Sequence, residues 1–430
     1  MIAPGVCAFR DKRVLLLQGP VGPFFSRLAK DLTQAGAAVF KINFNGGDWV
    51  FYPSGSINFR GHARDWPAFF EATLDHLHID VVILFGDCRP IHKAAHEIAH
   101  RRNLKIGVFE EGYIRPDYVT LEQFGVNHHS LLPRTPEFYL NKKSPQISQP
   151  VRVNNAYGYA ALWAILYYFF SGLLQSGFSH YRHHRPLTWL EALPWLRSFW
   201  RKVYYAITEH NVLAHLTKKL KGSYFLVPLQ VGNDAQVHAH SDFTSIANFI
   251  DDVMASFARH APVKTTLVIK HHPMDRAYHD YSHLIAARAK QFGLQGRCIY
   301  IHDQNLPKLL EFARGVVVIN STVGLSALHH GTPLKVCGHA IYDMAGLTYQ
   351  GSLNNFWRRA QQNKPNNNLL QCFQRYLVNY TQLNGSFYRC LRPDISATGL
   401  SWKARDNLAN VGSRIPNLKG AKTVGVFVRV

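Results

Sequence analysis

Two adjacent carboxylates, Glu110 and Glu111, end an apolar run of the chain and are followed at once by Gly112. If that run is a strand, neighbouring side chains point to opposite faces, so one glutamate can face a cleft while the other stays with the loop. A carboxylate in a cleft can act as a nucleophile or as a general base. The same residues also suit an ordinary acidic turn after a strand, so the choice depends on the rest of the chain.

Further carboxylates follow other apolar runs. Asp234 comes shortly after Gln230, behind a run of strand length, and is either a second cleft carboxylate or a residue that forms the turn. Asp87 and Arg89 follow another such run, and they either face the same cleft or pair with one another.

Two clusters could hold a phosphate. Lys270, His272 and Pro273 belong to a Lys-His-His-Pro sequence behind an apolar run, where cations can neutralise an anion, although a solvated turn has the same composition. Ser321 and Thr322 stand before a helical pattern, so they are either plain N-caps or part of an anion site at the helix start. Adjacent histidines point apart, and no cysteine or carboxylate spacing completes a ligand set, so we predict no metal site.

The elements that must position these residues alternate between short apolar runs and helical patterns. Such alternation predicts an α/β fold with doubly wound parallel sheets, in which polar clusters gather at the carboxyl ends of the strands. Because the pattern occurs in two halves, we expect two Rossmann-like domains that face a cleft. The nine predicted strands are residues 13–18, 39–44, 81–85, 106–109, 224–229, 266–269, 299–301, 316–319 and 334–336.

We predict five segments along the chain: residues 1–150 as an N-terminal Rossmann-like domain, 151–221 as a helical insertion rich in aromatic and basic residues, 222–355 as a C-terminal Rossmann-like domain, 356–385 as helices that pack back, and 386–430 as an accessory tail. Within the insertion, residues 154–179 contain no Asp, Glu, Lys or Arg. They could lie on a membrane surface, pack as a buried interdomain helix or span a bilayer. The basic and aromatic residues 189–221 that follow favour the membrane surface.

Composition narrows the class of partner. The chain has 430 residues with a formal net charge of +21, which implies a nucleic acid, an anionic membrane or a phosphorylated substrate. No zinc-finger spacing, RNP-like aromatic motif or dense basic arm is present, so we expect no nucleic acid. The six cysteines are scattered and indicate a reducing compartment. Residues 1–13 lack the pattern of a signal peptide, and we therefore expect a cytoplasmic location.

Seven motifs together resemble the capsular polysaccharide biosynthesis family of GT-B glycosyltransferases, and most closely its S-type β-Kdo transferases of group 2 capsule assembly. They are Leu17-Gln-Gly-Pro-Val-Gly-Pro-Phe-Phe25, Phe44-Asn-Gly-Gly-Asp48, Phe85-Gly-Asp-Cys-Arg-Pro90, Phe109-Glu-Glu-Gly-Tyr-Ile-Arg-Pro116, Leu229-Gln-Val-Gly-Asn-Asp-Ala-Gln236, Ile269-Lys-His-His-Pro-Met-Asp-Arg276 and Ile319-Asn-Ser-Thr322. The resemblance runs from about Arg13 to about Tyr380.

The resemblance implies retaining transfer of Kdo from CMP-Kdo to phosphatidylglycerol or its lyso form, with no cofactor and no metal. Asp234 matches the nucleophile, and Glu111 matches the acid/base. Lys270, His272, Pro273, Ser321, Thr322 and Gln230 would bind the donor, whereas Glu110, Arg115, Asp87 and Arg89 are possible sugar or acceptor contacts.

The implied location is the inner face of the inner membrane, as a peripheral protein beside a companion Kdo transferase and an exporter. Two alternatives stay open: a GT-B transferase that uses another CMP- or UDP-sugar, and a non-catalytic module that escorts capsule lipid to the exporter.

Overall fold

The computed structural model of the protein describes residues 5–182, 192–232 and 241–402, with residues 192–196 as backbone only. The described chain folds around two sheets, and each sheet belongs to one α/β domain.

The first sheet has seven strands in the order β12-β6-β5-β4-β1-β2-β3. Its strands are β1 (Arg13–Leu16), β2 (Ala38–Asn43), β3 (Ser56–Asn58), β4 (Val81–Phe85), β5 (Lys105–Glu111), β6 (Tyr118–Gln123) and β12 (Gln382–Asn384). The helices of this domain are α1 (Phe24–Gln34), α2 (Gly46–Phe51), α3 (Trp66–His76), α4 (Pro90–Arg101) and α5 (Pro136–Asn141).

The first sheet is buried on both faces, as its continuous apolar runs require. Val14 and Leu16 of β1 join one hydrophobic core, whereas Leu15 and Leu17 join the core on the opposite face. A strand that reads Val-Leu-Leu-Leu can therefore supply both layers, because successive side chains alternate.

The second sheet is entirely parallel, in the order β11-β10-β7-β8-β9. Its strands are β7 (Tyr224–Pro228), β8 (Thr266–Lys270), β9 (Cys298–Ile301), β10 (Gly315–Val318) and β11 (Leu334–Val336). Its helices, numbered after the insertion described below, are α9 (Ile246–His260), α10 (Ser282–Gln291), α11 (Leu306–Phe312), α12 (Val323–His329), α13 (Leu353–Arg359) and α14 (Asn367–Tyr380).

The predicted fold class, two Rossmann-like domains of the GT-B type, is confirmed. The sequence did not predict two antiparallel strands at the edge of the first sheet, β6 beside β5 and β12 beside β6. The connection from Glu111 to Tyr118 is too short for a crossover helix, so β6 can only return antiparallel.

The insertion between the domains consists of α6 (Ala156–Leu173), α7 (Ala192–Thr208) and α8 (Val212–Ala214), which continues as a π-helical turn, His215–Lys219. Helix α6 packs closely on α2 because two glycines leave room for its backbone. A Cβ on Gly46 would lie 2.4 Å from the Phe170 carbonyl oxygen, and one on Gly47 would lie 2.6 Å from Ser171 Oγ. The Asn-Gly-Gly-Asp motif therefore serves the contact with α6.

Residues 386–402, which the sequence led us to expect as part of an accessory tail, pack against the first domain. Phe387 is buried, and its ring lies 4.8 Å from that of Phe24 and 6.0 Å from that of Phe109. The buried Asp31 carboxylate of α1 accepts hydrogen bonds from Thr398 and Trp402. The rest of the predicted tail lies outside the described residues.

We expect Phe387→Ala to lower the free energy of unfolding by about 3–5 kcal/mol, because it leaves a cavity among three aromatic rings. Denaturant unfolding measures the change, with the exposed Ile395→Ala as the matched control. A loss below about 1 kcal/mol for Phe387→Ala would contradict the packing described here.

Candidate functional site

Glu110 and Glu111 end strand β5 and point to opposite faces of the first sheet. Glu111 lies on the face of Phe109 and accepts a hydrogen bond from the Tyr388 hydroxyl, at 2.8 Å. Glu110 lies on the other face, close to Gly86 behind β4. The prediction that strand geometry separates the two carboxylates is confirmed.

Glu110 is a carboxyl with a pKa close to neutral pH. Its burial raises its pKa to about 7, and the negative charges of Glu111 and Asp87 act in the same direction. The Glu111 backbone N–H opposes this shift, since it donates to Glu110 Oε1 at 2.9 Å. Glu110 therefore has a proton affinity suited to general acid–base catalysis, the role that the family resemblance implies for Glu111.

Asp87 organises the loop after β6 and does not pair with Arg89, so the suggested pairing of these two residues is wrong. Its buried carboxylate accepts the Val126 backbone N–H and contacts the His129 ring, both at 3.1 Å. Burial raises the pKa of Asp87, but the hydrogen bonds from His129, Val126 and Cys88 outweigh it, and the pKa is lowered.

Ligand atoms of Asp87, Cys88 and His129 lie within 4.8 Å of one another, a spacing that a metal ion could share. The hydrogen bonds of Asp87 to the loop account for this arrangement without an ion, and we assign no metal to it.

Arg89 and Arg115 have separate surroundings. Arg89 stands before α4, donates to Gln18 Oε1 at 2.8 Å and lies over the Phe85 ring. Arg115 is exposed, and its Nε donates to the Gly112 carbonyl at 3.2 Å. Arg89 therefore lies at the carboxyl edge of the first sheet, while the side chain of Arg115 folds back on its own loop.

A third carboxyl, Glu122 of β6, is buried next to this edge, and the sequence did not single it out. It accepts hydrogen bonds from Ser130 and from the Tyr113 hydroxyl, the latter at 2.7 Å. Burial raises the pKa of Glu122 to about 7, even though these two hydrogen bonds lower it. Tyr113 in turn accepts the Asn127 backbone N–H at 2.8 Å, so Glu122 anchors the loop that Asp87 also holds.

The second domain presents a buried cation at its own carboxyl edge. Lys270 ends β8, its Nζ donates only to the His271 carbonyl at 3.5 Å, and no carboxylate of the described residues lies within 4.0 Å of it. Burial lowers its pKa, while the more distant Asp303 and Glu209 raise it. A buried ammonium without an ion pair is costly, and an anionic ligand would stabilise it.

The two histidines after Lys270 differ in their surroundings. His272 is half-buried, and its Nδ1 accepts the Met274 backbone N–H at 3.2 Å beside the exposed Pro273. His271 is buried, hydrogen-bonded to the Tyr300 hydroxyl at 2.6 Å, and burial lowers its pKa to about 4. His271 therefore stays neutral near pH 7, and its Nε2 has no hydrogen-bond partner in the described structure.

Gln230, Ser321 and Thr322, the other residues predicted to bind the sugar donor, follow two neighbouring strands of the same sheet. Gln230, behind β7, exchanges hydrogen bonds with Asn320, behind β10. Ser321 Oγ accepts the Val323 backbone N–H at 3.2 Å, whereas Thr322 caps α12 without a side-chain hydrogen bond. Gln230 thus ties two strand ends together, and Ser321, not Thr322, supplies the capping oxygen.

Asp234, the predicted nucleophile, lies outside the described residues. The chain leading to it is held in place, because the buried Asp275 carboxylate accepts the Gly232 backbone N–H at 3.1 Å. Its assignment stays a prediction.

The two domains meet beside these residues. His128 stacks on His339 with ring centroids 4.3 Å apart, and Arg134 donates to the Ala340 carbonyl at 3.3 Å. Tyr113, Leu132 and Tyr139 of the first domain belong to the same hydrophobic core as β7 and β10. The loop held by Asp87 and Glu122 is thus part of the interface between the domains.

The sequence analysis did not predict four residues that shape this site: Tyr388, Glu122, His129 and His271. Of these, only His271 could have been found from the sequence, because it lies between the predicted residues Lys270 and His272.

Comparison with known proteins places the chain in a family. The model of the capsule polysaccharide biosynthesis protein family matches residues 80–388. The chain is 42% identical over 392 residues to the capsule polysaccharide export protein KpsS of Escherichia coli, which covers 88% of this chain and 97% of that protein. It is 41% identical over 387 residues to the capsule polysaccharide modification protein LipB of Neisseria meningitidis serogroup B, covering 88% and 92%.

Among solved structures, the chain is similar to the beta Kdo 2,7 transferase of Thermosulfurimonas dismutans KpsC, with 17% identity, a TM-score of 0.40 and coverage of 84% of this chain and 96% of that one. The two α/β domains, each with polar residues at the carboxyl ends of its parallel strands, define an α/β protein of the GT-B class. The chain belongs to the capsule polysaccharide biosynthesis family.

We expect Glu122→Gln to gain stability relative to the wild type as pH rises from 5 to 8. The pKa of Glu122 is higher in the folded wild type than in the unfolded chain, so folding favours the protonated carboxyl. The stability that this proton contributes is complete below the pKa of Glu122 in the unfolded chain, and it is lost as the pH rises through about 7. The amide cannot ionise, so the difference should reach no more than about 3 kcal/mol in favour of the variant. Chemical unfolding at several pH values measures it, and a pH-independent difference would contradict the raised pKa of Glu122.

Proposed function

We propose that the protein is a retaining β-Kdo transferase that moves Kdo from CMP-Kdo to phosphatidylglycerol or its lyso form, and so begins the poly-Kdo linker of a capsular polysaccharide. The observations that carry the proposal come from the carboxyl edges of the two sheets. The first domain gathers carboxyls with different proton affinities, and the second offers the buried Lys270, which has no carboxylate within 4.0 Å among the described residues.

Lys270 suits the phosphate of a nucleotide-activated sugar. Its ammonium can donate to a phosphate oxygen and stabilise the negative charge that develops as the phosphate departs. His271 and His272 follow it in the chain, and the capping oxygen of Ser321 lies behind β10, two strands along the same sheet. The resemblance, not the geometry, supplies the cytidine and the Kdo.

Retention at the anomeric carbon requires two displacements. In the first, the Asp234 carboxylate forms a bond to the anomeric carbon, and the bond from that carbon to the CMP phosphate oxygen breaks. In the second, the acceptor hydroxyl attacks the same carbon, its proton passes to a carboxylate of the first domain, and Asp234 leaves as the free carboxylate. The pKa of Glu110 makes it a candidate for that proton beside Glu111.

The lipid acceptor implies a place at the inner face of the inner membrane, as a peripheral protein that works with a companion Kdo transferase and an exporter. No helix among the described residues combines the length and apolarity needed to cross a bilayer. No cofactor or metal is required for this chemistry.

A second candidate is a non-catalytic module for the export of capsule lipid. The name of the E. coli relative, an export protein, favours it. Such a module would bind phosphatidylglycerol and leave CMP-Kdo intact, so incubation of the purified protein with CMP-Kdo and fluorescent phosphatidylglycerol separates the two candidates. A panel of CMP- and UDP-sugars in the same assay tests whether the donor is CMP-Kdo.

We expect Asp234→Ala and Glu111→Ala each to lower transfer at least about 100-fold while CMP-Kdo binding survives. Glu110→Gln tests whether the neighbouring carboxyl shares the proton transfer. The matched controls are the exposed Glu137→Gln and Asp252→Asn, which should keep the full rate. In a trapped reaction, mass spectrometry should find Kdo on a peptide that contains Asp234. An adduct on another residue would reassign the nucleophile.

We expect Lys270→Met to lower kcat/KM for CMP-Kdo by about 10- to 150-fold, the effect of losing one charge-assisted hydrogen bond. The exposed Lys264→Met is the control. Titration of free CMP against both variants reports phosphate binding without turnover, and unchanged CMP affinity in Lys270→Met would exclude this lysine from the phosphate site.

A further inference from the structure

Helix α6 buries two polar side chains against the protein and exposes four large aliphatic and aromatic ones on its other side. Tyr167 and Ser171 are its only residues in the buried class within the described structure. The Tyr167 hydroxyl donates to Asp48 at 2.9 Å and accepts from Asn45 and Gln18. Ser171 Oγ accepts the Gly47 backbone N–H and donates to Asn45. The helix is therefore held to the first domain by a buried polar network.

The opposite face of α6 is an apolar stripe. Leu162, Ile165, Phe169 and Leu173 are spaced by three or four residues, so they share one side of the helix. All four are exposed, Phe169 to 61%. Exposed apolar residues are ordinary when scattered, but a continuous stripe marks an interaction surface.

Helix α7 repeats this arrangement on the second domain. Arg201 donates to the Arg276 carbonyl at 2.6 Å, and the Tyr205 ring stacks on His302 with a centroid distance of 3.4 Å. Just beyond the helix, Glu209 accepts hydrogen bonds from the His302 backbone and ring, at 3.0 and 2.6 Å. The inner face of α7 is thus polar and charged.

The outer face of α7 is aromatic and aliphatic, with Trp200 exposed to 72%. Its members are Phe199, Trp200, Val203, Tyr204 and Ile207. Together with the stripe on α6, these residues form what we term the outer apolar faces. They account for nine of the twenty large hydrophobic residues that are exposed in the described structure.

The charge around these faces selects the partner. Between residues 151 and 208 the sequence contains one acidic residue, Glu191, and six basic ones: Arg152, Arg182, Arg185, Arg197, Arg201 and Lys202. Arg201 faces the second domain, whereas Arg197 and Lys202 of α7 are exposed. Apolar faces with Trp, Tyr and Phe, in a segment this rich in basic residues, match the interface of an anionic bilayer.

We propose that the outer apolar faces of α6 and α7 dock the protein on a bilayer that contains anionic phospholipid, with one contact on each domain. This inference deepens the proposed function, because it names the surface that would bring the enzyme to a lipid acceptor. Helix α6 is also close to the chemistry: Trp163 donates to the Tyr388 carbonyl at 2.9 Å, and the Tyr388 hydroxyl donates to Glu111. The protein-facing side of α6 therefore contacts the residue that holds the predicted acid/base.

The test measures sedimentation of the full-length protein with vesicles of phosphatidylcholine alone or mixed with an equal amount of phosphatidylglycerol. Ile165→Gln/Phe169→Gln changes α6, Trp200→Gln/Ile207→Gln changes α7, and the quadruple variant changes both. We expect each pair to lower the partition coefficient on the mixed vesicles about 10-fold or more, since each removes two side chains from the apolar phase. Val263→Ser/Ile395→Ser, exposed apolar residues elsewhere, is the control and should bind as the wild type does.

If both helices touch the bilayer at once, their free energies add, so the quadruple variant should lose the product of the two factors. Binding should also weaken with salt and on phosphatidylcholine alone. Wild-type binding in the quadruple variant would overturn the proposal. So would a stable dimer of the wild type that ignores vesicles and becomes monomeric in the quadruple variant, because the faces would then be a protein interface.

Transfer to a short-chain, water-soluble phosphatidylglycerol separates this inference from the proposed function. All docking variants should keep wild-type turnover of CMP-Kdo with that acceptor, which also shows that they are folded. If the wild type binds vesicles but turns over no CMP-Kdo, the transferase proposal is contradicted and the docking proposal stands. If it turns over CMP-Kdo but does not bind vesicles, the docking proposal is contradicted and the transferase proposal stands.

Discussion

The site depends on the alternation of side chains along one strand. Because β5 cannot direct Glu110 and Glu111 to the same face, it connects two different surroundings. Glu111 reaches Tyr388 and, through it, the insertion helix α6. Glu110 lies beside Asp87, whose loop reaches the second domain through the stacked pair of His128 and His339. One strand therefore links the insertion helix α6 to the interface between the domains.

Ionisable groups that are buried without a full ion pair gather around the same edges. Glu110 and Glu122 in the first domain have pKa values of about 7, and Lys270 in the second has a lowered pKa. Burying each such group costs free energy, and residues of this kind are concentrated at sites where a ligand or a reaction uses them. The hydrogen bonds of Glu122 show that it holds the loop, whereas Lys270 has no comparable set of partners among the described residues.

The sequence predicted what depends on local pattern. Apolar runs of strand length located the parallel strands of both sheets except the short β3, which pairs parallel with β2, and strand periodicity separated the two glutamates. It failed where partners come from far along the chain. Tyr388 lies 277 positions from Glu111, and the sequence around Tyr388 contains no pattern that predicts this contact. Asp87 and Arg89 looked like a pair, yet the nearest partners of Asp87 belong to a loop some 40 residues later. Carboxylates on strands usually face water, but Glu122 is buried because Tyr113 and Ser130 donate hydrogen bonds to it there.

The edge strand β12 and residues 386–402 carry a consequence for how the molecule can be divided. The chain passes from the first domain to the second through the insertion, and it returns after α14 to complete the sheet it started from. A fragment that stops at residue 150 would expose the bare edge of β6 and lack Phe387, so neither domain corresponds to a contiguous half of the gene.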